Sequence, residues 1–203
     1  MEIPAEFYDQ EYFTAGTKSN YAPYGPGDWA SALAAMVARL RPTSVLDVGC
    51  ATGLIVKQLR DRKIPAWGFD ISEWAIANAV TPEVYVGRAE DEKSYKSVDL
   101  ITAFELPEHL TPDQARKMFV NANNHALRML CLIAAVRDGE EMPDLSHEKD
   151  KSHINIQPIS WWRELADRTN WVVLPTDRFD NDPTAKRMGW SGRFLYLGDP
   201  DAG

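Results

Sequence analysis

Val45-Leu46-Asp47-Val48-Gly49-Cys50-Ala51-Thr52-Gly53 opens as an apolar, β-branched run and breaks into small residues. The opening has the composition of a buried strand. Beyond the break, Leu54, Ile55 and Leu59 fall on one helical face. A strand that turns through glycine directly into a helix is the setting of a cofactor-binding loop in an open α/β sheet. Gly49 permits the tight turn, and small residues at Ala51 and Gly53 let a ligand and the helix approach the backbone. Asp47 places a carboxylate at the strand's end, facing the crevice. A dinucleotide loop would read G-x-G-x-x-G, whereas this one reads G-x-A-x-G behind an acid.

Outward from this stretch, strands and helices alternate. Upstream, Trp29, Leu33, Met36, Val37 and Leu40 recur at three- and four-residue spacing, which predicts a helix from Asp28 that Pro42 ends. Downstream, strands are expected at 66–70, 84–87, 98–104 and 128–136. Helices are expected over 52–62, from Ser72 to Asn78, from Thr111-Pro112 to about Asn123, and over 158–168. Such alternation implies parallel pairing with helices on both faces. The last two strands, 171–174 and 193–197, have no obvious helix between them and should pair antiparallel. The expected fold is therefore α/β: a doubly wound, mostly parallel seven-stranded sheet with an antiparallel C-terminal hairpin. Loops are expected at 137–157 and 175–192, both on the substrate side. Residues 1–27 are aromatic and rich in glycine and proline, with Tyr8, Tyr12, Phe13, Tyr21 and Tyr24, and read as an arm packed back over the site.

The 203 residues suit one domain, with enough chain to bury about 70% of the unfolded surface. Twenty-two basic against 30 acidic side chains leave a net charge of −8, which disfavours a general nucleic-acid binder. Cys50 and Cys131 lie in apolar stretches and read as buried thiols rather than a disulfide framework. No apolar run approaches the ~20 residues of a membrane span. The start, Met1-Glu2-Ile3-Pro4, has neither a basic segment nor an apolar core, so a cytoplasmic protein is expected.

On the residues 45–53, the chain resembles the class I S-adenosylmethionine-dependent methyltransferases. Their first motif looks like D-x-G-x-G-x-G, with Ala51 here at the middle glycine. The resemblance covers roughly residues 28–175 and implies a Rossmann-like fold with S-adenosylmethionine as cofactor. By likeness, Asp47 lies near the cofactor's amino group and Gly49 lines its methionine portion, with Ala51 and Gly53 completing the loop. Asp70 ends the second strand about 20 residues after the loop, where a carboxylate can accept both ribose hydroxyls, and Ile71 follows it. In Gly87-Arg88-Ala89-Glu90-Asp91, the resemblance puts Ala89 and Glu90 beside the adenine. Arg88 stands where the family usually has an acid. Phe104, at the end of the fourth strand, completes the implied cofactor set.

Glu105, Glu108 and His109 follow that strand at i, i+3 and i+4, which on a helical turn is one face. Two carboxylates and an imidazole suit a divalent metal. Oxygen ligands favour Mg²⁺ or Mn²⁺, and a histidine tilts the choice toward Mn²⁺, Co²⁺ or Zn²⁺. Glu105 has a purely structural alternative, and His109 a metal-free one as general base. Glu-x-x-Glu-His with a further downstream histidine is also similar to the small-RNA 2′-O- and ubiquinone-pathway O-methyltransferases. That likeness implies Glu105, Glu108, His109 and His153 as metal ligands, and His109, His153 and Glu108 as the catalytic residues. A metal would acidify an acceptor hydroxyl, or His109 or His153 would take its proton directly. His125 reads as helix-terminal and His147 as a solvated loop residue.

These readings lead to an O-methyltransferase acting on a small hydroxylated metabolite, a sugar or a natural-product intermediate, with metal assistance where the cluster holds an ion. RNA 2′-O-methylation by the same site and a non-enzymatic S-adenosylmethionine-binding protein are the alternatives. The expected partner is a small molecule, with neither nucleic acid nor membrane. Tyr8, Tyr12, Tyr21, Tyr24, Trp161, Trp162 and Trp190 are available as pocket walls, and Arg178, Lys186, Arg187 and Arg193 for an anionic group.

Overall fold

Seven short strands meet in one sheet of order β3-β2-β1-β4-β5-β7-β6 in the computed structural model, which describes residues 2–15, 18–19, 28–133 and 150–199. The strands are β1 Val45–Val48, β2 Ala66–Asp70, β3 Val84–Val86, β4 Val98–Phe104, β5 Ala126–Leu132, β6 Val172–Leu174 and β7 Phe194–Gly198. The first five run parallel. β7 inserts antiparallel between β5 and β6, which is the expected hairpin. β1 and β4 are near-continuously apolar because helices cover both faces of the sheet, as parallel strands require. Leu46, Val48, Ile101 and Ala103 enter one core layer with Phe119 and Trp162. Val45 and Leu100 enter the other with Leu33, Met36, Val37 and Leu59.

The helices are α1 Gln10–Thr14, α2 Asp28–Arg39, α3 Leu54–Asp61, α4 Glu73–Ala77, α5 Pro112–His125, α6 Ile159–Asp167, α7 Asp177–Asp180 and α8 Pro183–Met188. Ser72 caps α4 by accepting the Ala75 amide at 3.0 Å, as its position in the sequence suggests. At α5, Thr111 and Gln114 form a capping box with Pro112 in the first turn. Among the described residues, no helix is long and apolar enough to cross a membrane.

The sheet order reverses between β1 and β4, and their C-terminal ends diverge there into a crevice. Asp47 pairs in register with Gly68 on one side and with Thr102 on the other. The putting-together of the site follows from this reversal, because ligands in open α/β sheets bind where the strand order switches.

Several expected boundaries move. The strand expected at 128–136 starts earlier, at Ala126, and ends at Leu132; residues 134–149, which include His147, lie outside the described ones. The stretch 175–192 is not a plain loop but holds α7 and α8. Their composition is turn-like, and tertiary packing makes them helical: Phe179 and Ala185 are buried, with Phe179 against Phe194 and Tyr196. The 150–157 part of the other loop is not solvated either. Asp150, Ser152 and Asn155 are buried, and the amides of Ile154 and Asn155 donate to the Glu108 carbonyl at 3.0 Å each. Trp161 and Trp162 are core residues rather than pocket walls, Trp162 fully so. The arm does pack back, through α1 and the buried Tyr12 and Phe13; Tyr21 and Tyr24 lie outside the described residues.

Packing behind the cofactor-type loop is tight. A Cβ on Gly68 would stand 2.6 Å from the Cβ of Cys50 and 3.0 Å from Val56 Cγ2. Gly68→Ala is therefore expected to destabilise the chain by about 1–3 kcal/mol through overpacking, read as a lowered urea midpoint with an unchanged slope. An unchanged midpoint would mean that β1 and β2 separate more easily than this packing implies.

Candidate active site

The turn after β1 is built on left-handed backbone. Gly49 and Gly53 have φ of 75° and 79°, and Ala51 has φ of 48°. An alanine in this region carries a steric penalty of roughly 1–2 kcal/mol. The turn is held nonetheless, because the amides of Gly49 and Cys50 donate to the Phe69 carbonyl at 2.9 and 3.0 Å. The Ala51 amide donates to Asp70 Oδ2 at 2.8 Å, and the Ser72 amide to Asp70 Oδ1 at 2.8 Å. Asp70, at the end of β2, thus fixes both the β1 turn and its own.

Asp47 lies beside it, buried, and accepts the Thr102 hydroxyl at 2.6 Å. Burial pushes its carboxyl up to about 7; the Thr102 bond opposes the rise, and the charge of Asp70 adds to it. Burial also raises Asp70, against the backbone amides that it accepts.

A cavity of about 360 Å³ opens at this point. Asp47, Asp70 and Glu90 line it with carboxylates, and Gly49, Ala51, Ile71 and Ala89 form the adjoining wall. Phe104 lines it from the end of β4. Of the cofactor residues expected from sequence, Gly53 alone is not in the wall. It caps α3, and a Cβ there would come within 2.9 Å of Val84. Its role is the close approach of helix to sheet. Arg88, the departure from the family pattern, turns to Glu90 at 2.6 Å and to Glu2 in the arm.

The acceptor end differs from the sequence reading. Glu105 leaves β4 in the left-handed region, with φ of 51°, and a single 3₁₀ turn, Pro107–His109, follows. Glu105, Glu108 and His109 therefore do not share a helical face. Glu105 lines the cavity on the side of Trp190 and Arg193; burial raises its carboxyl, while a Trp190 hydrogen bond and the Arg193 charge oppose the rise. Glu108 is 0% exposed, does not line the cavity, and bears on the buried Cys131 thiol, whose pKa it helps raise. The four-residue metal set implied by the resemblance is thus not brought together. Among the described residues, neither glutamate falls into a ligand-spaced group with the histidines.

His109 and His153 do come together, with ring centroids 4.7 Å apart. With them is a residue not foreseen from sequence, Asp150. One ligand-type atom from each of the three lies within 4.8 Å of the others, the group of that kind among the described residues. Asp150 is 4% exposed. Its Oδ2 accepts the Tyr12 hydroxyl at 2.8 Å, and its Oδ1 accepts the Ser152 amide at 2.9 Å and the Ser152 hydroxyl. His109 Nδ1 lies 2.8 Å from Ser152 Oγ. Burial, and next the neighbouring His153, hold the His109 ring well below its ordinary pKa, against the pull of Asp150 and of the backbone at Ser152 and Glu105. Burial raises the phenols of Tyr8 and Tyr12. The one sequence signal for this turn was Asp150 two places before Ser152, the spacing of an Asx turn.

Among the other expected residues, Tyr8, Tyr12, Trp190 and Arg193 line the cavity. Lys186 and Arg187 are exposed on α8. Arg178 stacks over Phe179 and Tyr196 at 5.5 and 5.1 Å. His125 ends α5, stacked on Tyr95.

Comparison with known proteins bears on this geometry. A family model described as a methyltransferase domain matches residues 21–176. No curated protein matches the chain by sequence. Solved structures share the fold at low identity. A TehB-like S-adenosylmethionine-dependent methyltransferase from Corynebacterium glutamicum is 19% identical over 88% of this chain and 90% of that one, with a TM-score of 0.61. DesVI of Streptomyces venezuelae is 15% identical over 89% and 96%, with a TM-score of 0.64. The small RNA methyltransferase HEN1 is 16% identical over 85% of this chain but 26% of its own, with a TM-score of 0.58.

The raised Asp47 carboxyl has a consequence for stability. Its folded pKa of about 7 lies above the ordinary carboxylate value of 3.8, so the folded state binds the extra proton between those values. Stability attributable to Asp47 is then lost as pH rises from about 4 to about 7. Asp47→Asn is expected to match the wild type near pH 4 and to gain on it steadily up to pH 7, in urea unfolding without ligand. A difference independent of pH would show that Asp47 is ionised throughout.

Proposed function

Because this chain belongs to the class I S-adenosylmethionine-dependent methyltransferase family, we propose that it methylates an oxygen of a small hydroxylated molecule, a sugar or a natural-product intermediate. Residues 1–203 act in this reading as one catalytic domain. S-adenosylmethionine supplies an electrophilic methyl group when bound. Asp70 retains carboxylate lone pairs for the ribose hydroxyls, and Asp47 offers a carboxylate to the amino group. Ala89 and Glu90 take the adenine side, and Glu90 is steadied by Arg88 and Gln114.

The observation that carries the reading is the place of His109: an imidazole on the wall of the same cavity as the cofactor loop, with Nδ1 2.8 Å from Ser152 Oγ. A neutral imidazole there can take the proton of an acceptor hydroxyl as the new C–O bond forms and the S–C bond breaks. Holding acceptor and methyl donor in one narrow cavity supplies much of the rest of the rate. His153 and Glu105 shape the acceptor end without sharing a metal.

Size and charge favour a small, uncharged or cationic acceptor over RNA. Ile3, Tyr8, Tyr12 and Phe13 of the arm wall the cavity. Among the described residues its lining carries five carboxylates (Asp47, Asp70, Glu90, Glu105 and Asp150) against one guanidinium, Arg193. A nucleic-acid backbone is held by the opposite balance. The base-bearing acceptor end favours an enzyme over a protein that only binds the cofactor.

Transfer of labelled methyl from S-adenosylmethionine to a panel of sugars, catechols, hydroxy acids and one short oligoribonucleotide tests this. Label is expected in a small hydroxyl compound and not in the oligonucleotide. His109→Gln should lower turnover about 10²–10⁴-fold while S-adenosylhomocysteine binds as tightly as before. Chelator-treated enzyme should keep its rate. A rate lost to chelator and restored by Mn²⁺ would overturn the metal-free base in favour of an ion at His109, Asp150 and His153.

A further inference from the structure

We infer that Ser152 and Asp150 are positioning residues that fix His109 in the tautomer carrying its proton on Nδ1, which leaves the Nε2 lone pair to accept the acceptor's proton. The inference rests on the proposed methyl transfer to oxygen and names the atom that takes the proton. It follows from counting protons. A serine hydroxyl has a single proton to donate. Ser152 gives it to Asp150 Oδ1, the oxygen that also accepts the Ser152 amide. At its 2.8 Å contact with His109 Nδ1, Ser152 Oγ is therefore the acceptor, and Nδ1 must carry the hydrogen.

The chain of bonds has a fixed direction because the Asp150 carboxylate is the acceptor in each of its bonds to Tyr12 and Ser152. Its Oδ1 takes the Ser152 amide at 2.9 Å as well as the hydroxyl, and its Oδ2 takes the Tyr12 hydroxyl at 2.8 Å. Three N–H or O–H groups converge on this one buried carboxylate, and each meets it as an acceptor. Three separate parts of the chain converge here: Tyr12 from α1, the turn 150–153, and the 3₁₀ turn after β4. The His153 amide closes that turn on the Asp150 carbonyl at 3.4 Å, while its ring Nε2 stays 4.0 Å from Oδ2, too long for a hydrogen bond. The ring that Ser152 Oγ meets at 2.8 Å is that of His109.

A hydroxyl between acid and imidazole also explains how the base can be both oriented and neutral. A carboxylate in direct contact would raise the ring's pKa strongly. Through Ser152 the carboxylate sets the tautomer while burial and His153 keep the ring uncharged.

The test is the tautomer itself, read in the full chain with ¹⁵N-labelled histidine and S-adenosylhomocysteine bound, from long-range ¹H–¹⁵N correlations; the His109 signals are identified by their loss in His109→Gln. Wild type is expected to show protonated Nδ1 and bare Nε2. Ser152→Ala and Asp150→Asn should each lose that fixed pattern, and Ser152→Thr, which keeps the hydroxyl, should retain it. Calorimetric binding of S-adenosylhomocysteine by each variant shows that it is folded; should Ser152→Ala not bind, Asp150→Asn and Ser152→Thr carry the comparison. Protonated Nε2 in the wild type, or a pattern unchanged in the folded variants lacking the hydroxyl or the acid, would overturn the inference. No acceptor enters this measurement, so a failure of oxygen methylation would appear only in the label-transfer assay and would stay distinguishable.

Discussion

The Asp70 carboxylate accepts two backbone amides from two different turns, Ala51 after β1 and Ser72 after β2. Much of the site hangs from that pair of bonds. They hold the left-handed turn of the cofactor loop and set the start of α4. Ser72 then passes the constraint on: its hydroxyl donates to the Tyr8 carbonyl at 2.5 Å and so anchors the arm. Four residues further along the arm, Tyr12 reaches Asp150, and Asp150 reaches His109 through Ser152. A set of buried and part-buried hydrogen bonds, linked along the arm, runs from the turn after β1 to the His109 ring. Where its members are buried, as at Ser72, Tyr12, Asp150 and Ser152, leaving a polar group unmatched would cost about 1–3 kcal/mol.

Aromatic packing is what keeps the arm seated for these bonds. Tyr8 and Tyr12 meet edge to face at 5.0 Å, and Phe13 stacks on Trp74 of α4 at 5.5 Å. Such pairs contribute about 0.5–1.5 kcal/mol each beyond their buried area. The ion pairs from Lys18 to Asp9 and Glu11 lie largely in solvent and add little. The arm therefore contributes Ile3 and Phe13 to the cavity wall and the Tyr12 hydroxyl to Asp150.

What was legible in the sequence was whatever depended on local pattern. β1 and β4 are buried on both faces, so their apolar runs stand out, and the turn chemistry of Gly49 to Gly53 announces itself. Asp47, Asp70, Ala89 and Phe104 could be placed because strand ends in a doubly wound sheet point at one crevice. What was not legible depended on backbone that breaks its own pattern. The i, i+3, i+4 spacing of Glu105, Glu108 and His109 presumes a helix, and Glu105 adopts φ of 51° instead. Asp150 and Ser152 sit in a polar stretch whose composition reads as solvated, yet Glu108's carbonyl draws the following amides inward and buries them. Trp161 and Trp162 looked like walls because nothing in sequence distinguishes an aromatic facing a ligand from one facing the core.

The two departures from the family pattern show why the resemblance survives them. A glycine at position 51 would adopt φ of 48° without strain; the alanine there is held by the hydrogen bond that its amide donates to the Asp70 carboxylate, worth about 1.5–3 kcal/mol for a charged acceptor. That is comparable to the left-handed penalty, so the turn keeps its shape. Arg88 replaces an acid, but it is turned aside onto Glu90 and Glu2, and Glu90 supplies the carboxylate in the wall instead. In both places the geometry offered to a ligand is kept by a neighbour, while the residue identity is not. The backbone shape and the charge at each point of the cavity are therefore the constraint on this sequence, and side-chain identity can drift wherever another residue can restore them.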